Sequence, residues 1–384
     1  MNFDNCDLTE LKLRNALTNA LSKVDNLLLK FSDGFPKSSS CGGIYPSSGN
    51  TDWTQCFWTG ILWLSYELTK NSKYLYTVTG LMDSFKERID KRIALHNHDI
   101  GFIFILSTLA GYKVTGDSEL RQKSLDAAMH LANRFREKGQ FIQLTGEADC
   151  EDPASYRLII DCLMNINLLY WAGEETGDAE FTRRAYAHFK STVNNVIRPD
   201  GSTFQNCTFD KTNGDVVKLW NRQGRDDESC WSRGQAWGVL GIPLTYAYMK
   251  NEDIIDTYYK VADYFLDNLP EDKIAYWDHC YTNGSEPRDS SASAIAVCGL
   301  LQACSTMPID EAHRAKYIGA AVEIMNSLID NYSNTASDSA EGLISHGTYW
   351  YGGDLGIDEC TIWGDYFYLE AIMRFLNPEW KKYW

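Results

Sequence analysis

The stretch Ile100-Gly101-Phe102-Ile103-Phe104-Ile105-Leu106-Ser107-Thr108-Leu109-Ala110-Gly111-Tyr112-Lys113-Val114, closed by Thr115-Gly116-Asp117, decides the fold. It has almost no polar face, which marks a helix buried on every side. The Gly-Asp pair stops it and starts another helix, whose apolar residues recur at three- and four-residue spacing and so cover one side only. The phrase returns at Thr176-Gly177-Asp178, again after an apolar helix and before a more amphipathic one. A buried helix answered by a half-exposed one is a helical hairpin, and the chain repeats it.

Working outward, the spacing predicts helices over 8–31, 57–69, 73–90, 100–114, 117–138, 154–173, 178–196, 230–248, 252–268, 288–305, 311–330 and 360–375, with Gly, Asn, Asp and Pro between them. No alternation of strands with helices emerges, which argues against a doubly wound sheet. Segments 201–210 and 341–352 read as extended loops or short hairpins. The expected fold is all-α, an (α/α)6 barrel of six helical hairpins forming one domain over 1–384. An open superhelical solenoid is the alternative. The most apolar helices, 57–69, 100–114, 154–173 and 230–248, belong inside, and amphipathic partners such as 73–90 and 178–196 outside.

A hydrophobic fraction of 44% against 23% charged residues suits a globular chain with a substantial core. The net charge of −16, with no sustained Lys/Arg stripe, excludes a nucleic-acid surface. The local group Arg222, Arg225 and Arg233 still leaves room for an anionic small substrate. No run reaches transmembrane length, and the start Met1–Cys6 lacks the basic-then-apolar order of a secretory signal. A cytoplasmic protein with no membrane partner is expected. The 11 cysteines are odd in number and show no CxxC pairing, so reduced thiols are expected. Formation of a homo-oligomer stays open, because exposed aromatic text serves a cleft or a subunit face equally well.

Three places carry the chemistry. Asp161 interrupts the apolar run Leu158-Ile159-Ile160-Asp161-Cys162-Leu163-Met164, where a carboxylate must be paired, solvated by a pocket or partly protonated. Arg157 lies four residues earlier; on a helix the two share a face, and a close pair lowers the carboxyl pKa, which suits a base or an anchor better than an acid. Asp99, in His96-Asn97-His98-Asp99-Ile100, is placed to cap the helix at Ile100, a role that keeps it ionised. The alternating His96, His98 and Asp99 also admit a metal reading, but no HExxH or cysteine cluster accompanies them, and no metal is expected. The densest block is Asp226-Asp227-Glu228-Ser229-Cys230-Trp231-Ser232-Arg233-Gly234-Gln235-Ala236-Trp237-Gly238, with Ser229 as the expected cap. A purely packing helix seldom needs Arg, Gln and two Trp together. Plain packing with a snorkelling arginine is the competing explanation. Acids beside aromatic platforms suggest sugar chemistry.

These segments together resemble the unsaturated glucuronyl hydrolase family, glycoside hydrolase family 88. The resemblance spans essentially the whole chain and rests on Asp52-Trp53-Thr54-Gln55-Cys56-Phe57-Trp58-Thr59-Gly60, His98-Asp99-Ile100-Gly101-Phe102, Arg157-Leu158-Ile159-Ile160-Asp161, the block Asp227–Gly238, and Glu359-Cys360-Thr361-Ile362-Trp363-Gly364-Asp365-Tyr366-Phe367. Its members are (α/α)6 barrels. The resemblance implies Asp161 as catalytic acid/base and Asp99 as a second essential carboxylate. It places Trp53, Gln223, Trp231, Arg233, Trp237 and His346 around an unsaturated uronate. One departure stands in Phe204-Gln205-Asn206-Cys207, where Gln205 takes the place expected of a pocket histidine. Glutamine hydrogen-bonds but does not become cationic near neutral pH.

The implied reaction is hydration of a C4=C5 double bond, without cofactor, on unsaturated uronyl disaccharides or short oligosaccharides left by polysaccharide lyases. Asp161 supplies and recovers the proton, Asp99 holds ring hydroxyls, and Arg233 offsets the uronate charge. The loop Tyr349-Trp350-Tyr351-Gly352-Gly353-Asp354 is expected to face the leaving sugar. Four rivals stand beside this reading. They are an unsaturated rhamnogalacturonyl hydrolase, an inverting glycosidase on a saturated sugar, a sugar epimerase, and a carbohydrate-binding helical protein without activity.

Overall fold

The computed structural model describes residues 8–147, 150 and 152–384; the polar start Met1–Cys6 lies outside them. Twelve helices appear among the described residues. They are α1 (Glu10–Lys30), α2 (Gln55–Thr69), α3 (Ser72–Asp90), α4 (Ile100–Phe104, a π turn Ile105–Leu109, then Ala110–Thr115) and α5 (Ser118–Ala132). Next come α6 (Cys162–Asn165 and Asn167–Thr176), α7 (Ala179–Val196), α8 (Ser232–Met249) and α9 (Ile255–Asp267). The last are α10 (Ser290–Thr306), α11 (Glu311–Ser327) and α12 (Ile362–Leu376). Even-numbered helices are buried nearly all round, while odd-numbered ones bury a single stripe.

The even helices touch in the order α2, α4, α6, α8, α10, α12 and back to α2, each with an odd helix packed outside it. Closure of that ring makes the fold an (α/α)6 barrel and removes the open solenoid. The Thr-Gly-Asp phrase explains two of the hairpins. Gly116 (φ 77°) and Gly177 (φ 74°) end their helices in the left-handed region that a side chain disfavours. Asp117 and Asp178 then cap the following helices by accepting backbone N–H groups, and each aspartate's own N–H donates to the threonine hydroxyl 3.2 Å away.

Three expectations change. The predicted helix 154–173 begins as strand Arg157–Ile159, and α6 starts only at Cys162. The same apolar text pairs antiparallel with Asn206–Phe209, which pairs in turn with Val216–Trp220, so sheet pairing overrides helical spacing. Arg157 and Asp161 therefore share no helix face. The predicted helix 117–138 stops at Ala132, and Phe135–Arg136 pairs with Phe141–Ile142. Ser229 does not cap α8: its hydroxyl donates to Asp278 (2.6 Å), and the helix starts after Trp231. Segments 201–210 and 341–352 do contain extended pieces, Asn206–Phe209 and Gly347–Trp350, the latter paired with Leu355–Glu359.

One end of the ring is filled by the tail that follows α12. Trp380 and Tyr383 both donate to Glu67, and the Trp384 indole donates to Glu370 on α12 (2.9 Å). Trp384 stacks on Phe367 at 5.9 Å and meets the edge of Phe102 at the same distance. The ten cysteines among the described residues are unpaired. No helix of the described residues is long and apolar enough to cross a membrane.

Candidate active site

The other end opens into a cleft of about 340 Å³ lined by Trp53, Asp99, Asp161, Trp231, Arg233 and Trp237, with Gln205, Gln223, Tyr349 and Trp350 also on its wall. Asp99 is the last residue before α4 and Asp161 the last before α6. Their meeting depends on the tight approach of these two helix starts. A Cβ at Gly101 would sit 2.3 Å from the Asn165 backbone, so only glycine lets α4 and α6 lie this close. Asn165 then clamps the junction. Its carbonyl oxygen accepts the Phe102 N–H (2.7 Å), and its amide donates to the Asp99 carboxyl. Substituting Gly101→Ala is expected to cost about 1–3 kcal/mol of stability through overpacking. It should also lower turnover by parting the two acids; chemical denaturation and an activity assay on the same sample check both.

Both acids sit at the positive end of a helix, a position that favours a carboxylate. Burial opposes this and wins. Asp99 is raised to about 7, chiefly by desolvation and then by the Asp52 carboxylate, against the pull of Asn165 and Arg134. Asp161 is raised well above the ordinary carboxyl value by desolvation and then by Asp99, against Arg233 and two backbone N–H groups. The pair therefore keeps at least one proton where isolated carboxyls keep none. The Asp99 and Asp161 side chains stay 16% and 17% exposed, enough to face a ligand in the cleft. Asp99 stands at the N-cap position but caps nothing; its side chain belongs to the cleft.

Between the acids lies His98, 1% exposed, with Nε2 at 3.4 Å from a carboxyl oxygen of each. Sequence reading considered it only as a metal ligand. One donor atom each from His98, Asp99 and Asp161 falls within a 4.8 Å cluster, the grouping here that comes nearest a metal site. His96 lies outside this cluster.

The aromatic wall is interlocked. Trp53 stacks on Trp363 (5.4 Å) and donates to the Tyr349 hydroxyl (3.1 Å), and Trp237 contacts Phe102 at 5.4 Å. Arg233 lies between Trp231 (4.6 Å) and Trp363 (5.0 Å). One terminal nitrogen donates to Asp289 and to the Thr348 carbonyl, the other to the Tyr349 carbonyl. Its fork is thus occupied, and Arg233 ties the 347–359 hairpin to the barrel. Gln235 donates to the carbonyls of Gly201 and Val261 and is structural.

Gln205 accepts N–H bonds from Arg222 and Gln223 (2.9 Å each) and donates to the Gln223 side chain (2.7 Å). A neutral histidine has one acceptor and one donor and does not reproduce all three bonds. Gln223 in turn donates to the Tyr349 carbonyl (2.9 Å). His346 is not brought to the cleft: it is exposed, at φ 62°, and bonded to Asp358 (2.6 Å). Sequence reading missed Arg157 as a cleft residue, having placed it on a helix with Asp161. From its strand it reaches the cleft wall with its guanidinium 5.0 Å from the Trp220 ring, while Arg222 covers Trp350 at 4.6 Å. Among the described residues neither arginine forms an ion pair. Arg225, by contrast, pairs with Asp226 outside the cleft.

The sequence profile of Glycosyl Hydrolase Family 88 matches residues 34–358. The chain is 42% identical over 379 residues to an unsaturated chondroitin disaccharide hydrolase of Streptococcus pneumoniae, covering 98% of this chain and 95% of that protein. The crystal structure of an unsaturated glucuronyl hydrolase from Streptococcus agalactiae superposes with a TM-score of 0.95 at 42% identity, over 98% of this chain and 94% of that one. A mutant of the Streptococcus agalactiae enzyme complexed with dGlcA-GalNAc6S superposes at a TM-score of 0.87 and 37% identity, over 100% and 99% of the two chains.

Proposed function

Because the chain belongs to Glycosyl Hydrolase Family 88, we propose that it releases the Δ4,5-unsaturated uronic acid from the non-reducing end of glycosaminoglycan-derived oligosaccharides by hydrating the C4=C5 bond. The whole chain acts as one catalytic barrel. The observation that carries the reading is the pair of proton-retaining carboxyls, Asp99 and Asp161, facing one another in an aromatic cleft.

In this mechanism protonated Asp161 donates to C4, and water adds at C5. The Asp161 carboxylate takes the proton that the water loses, so the net change is addition of H and OH across the double bond. The resulting C5 hemiketal opens the ring, and the C1 hemiacetal then expels the neighbouring sugar. Asp99 accepts hydroxyl protons of the uronate ring and fixes its position. Trp53, Trp231 and Trp237 offer apolar faces to its C–H groups. Arg233 contributes its positive field from the wall, while Gln205 and Gln223 shape the segment beside it. Arg157 and Arg222, cationic and without an ion pair among the described residues, support an anionic group on the leaving sugar. Asp354, exposed and outside the cleft lining, does not oppose such a group.

The test is the ultraviolet absorbance of the unsaturated uronate during incubation with lyase-generated disaccharides. Its loss supports the reading, and persistence with every disaccharide sinks it. Pectin-derived disaccharides run alongside separate the rhamnogalacturonyl alternative. The cluster spacing within 4.8 Å is closer than the roughly 6.5–9.5 Å of an inverting pair. It leaves double displacement on a saturated glycoside as the second reading, in which substrates lacking the double bond are cut.

The raised proton affinities also set a pH dependence. The alkaline limb of kcat/KM is expected well above the ordinary carboxyl range, where Asp161 finally loses its proton. Asp99→Asn removes the neighbouring negative charge that raises Asp161, so the limb of the residual activity should move down in pH. A limb that stays fixed or moves up contradicts the assignment.

A further inference from the structure

We infer that His98 is a positioning residue for the two acids, a single Nε2–H donor standing equally near Asp99 and Asp161 that can serve each carboxyl as it becomes charged. The inference rests on the hydration reading, and it concerns how the pair holds its one proton.

The geometry allows little else. His98 is fully buried, its Nε2 lies 3.4 Å from an oxygen of each acid, and neither ring nitrogen has a hydrogen-bond partner among the described residues. A nitrogen lone pair aimed at the ionised Asp99 carboxylate is repulsive, which favours the neutral ring with its proton on Nε2. The ring is held neutral by burial and then by Arg134 at the end of α5, His188 on α7 and Arg157 on its strand. With Asp99 and Asp161, these are the titratable and charged groups that face it. A cationic imidazole would favour ionisation of both carboxyls and leave Asp161 unable to act as an acid. A neutral donor stabilises one negative charge and leaves the other carboxyl protonated.

During turnover a second charge appears. Before proton transfer Asp99 is the anion and Asp161 is neutral. After transfer to C4 both are anions, and the new charge on Asp161 lasts until it recovers a proton from water. A donor at equal distance reaches the new anion by a small ring tilt, and no proton passes through His98. Bonds that are long in an empty site shorten once the site is occupied.

The experiment measures kcat/KM against pH on an unsaturated disaccharide for wild type, His98→Leu and His98→Gln. It also records the ¹⁵N shifts of the wild-type histidine ring without substrate. Losing a donor to an ionised carboxyl should move the alkaline limb of His98→Leu up by about one pH unit. The same variant should lose about tenfold in kcat with KM held within about twofold. Glutamine, which keeps an amide donor, should bring the limb back toward wild type. An unmoved limb in His98→Leu, or no difference between leucine and glutamine, assigns His98 to packing and overturns the inference. If His98→Leu fails to fold, the ring spectrum decides: an Nε2–H tautomer upholds the inference, and an Nδ1–H or doubly protonated ring defeats it. Because that spectrum needs no substrate, absence of turnover by wild type would defeat the proposed function separately.

Discussion

Asp161→Asn is expected to lower the rate of double-bond loss by about 10²–10⁴-fold, the range general acid–base catalysis supplies, while the protein stays folded and binds substrate. Asparagine matches the shape of the carboxyl and cannot give a proton to C4. Asp161 Oδ1 has no hydrogen-bond partner among the described residues, so the substitution breaks no bond made by that atom. The effect should therefore fall on kcat, with KM nearly constant. Initial rates from ultraviolet absorbance, set beside a binding isotherm for the same disaccharide, separate the two quantities. A variant with near wild-type kcat would remove Asp161 from the chemistry.

The second large effect concerns stability. Arg233→Met is expected to cost about 3–5 kcal/mol, because Asp289, wholly buried, would keep its charge without a cationic partner. The double variant Arg233→Met/Asp289→Leu should recover part of this loss, since an apolar pair of similar volume is often tolerated where a broken ion pair is not. Recovery should remain incomplete. The carbonyls of Thr348 and Tyr349 lose their donor in both variants, and buried acceptors left unpaired are costly. Equilibrium urea unfolding of the single and double variants measures this. Equal stability of wild type and Arg233→Met would show that the guanidinium does not anchor the 347–359 hairpin.

The fold was legible because its signal is periodic. Residues 100–114 have no polar face and 178–196 have one, and the contrast, repeated along the chain, already states which helices are inside. The site was legible where a polar residue stood out from apolar text, as Asp161 and the Trp231–Trp237 block do. It failed where a local pattern has two outcomes. Arg157 to Ile160 is equally good text for a helix or a strand, and only pairing with Asn206–Phe209 selects the strand. That single change parts Arg157 from Asp161 and sends the arginine to the cleft wall. His98 was missed for a different reason. Its meaning comes from Asp161, brought alongside by the Gly101–Asn165 contact, and nothing within its own neighbourhood announces that approach. His346 shows the converse: a residue carried over by resemblance lies on an exposed turn beside Asp358.

The tail that seats Trp384 against Phe102 and Phe367 makes the barrel a cul-de-sac. Among the described residues, the cleft opens at the end opposite this tail. An oligosaccharide can reach the acids only tip first, its remaining units trailing outside, so bonds in the middle of a polymer stay beyond reach.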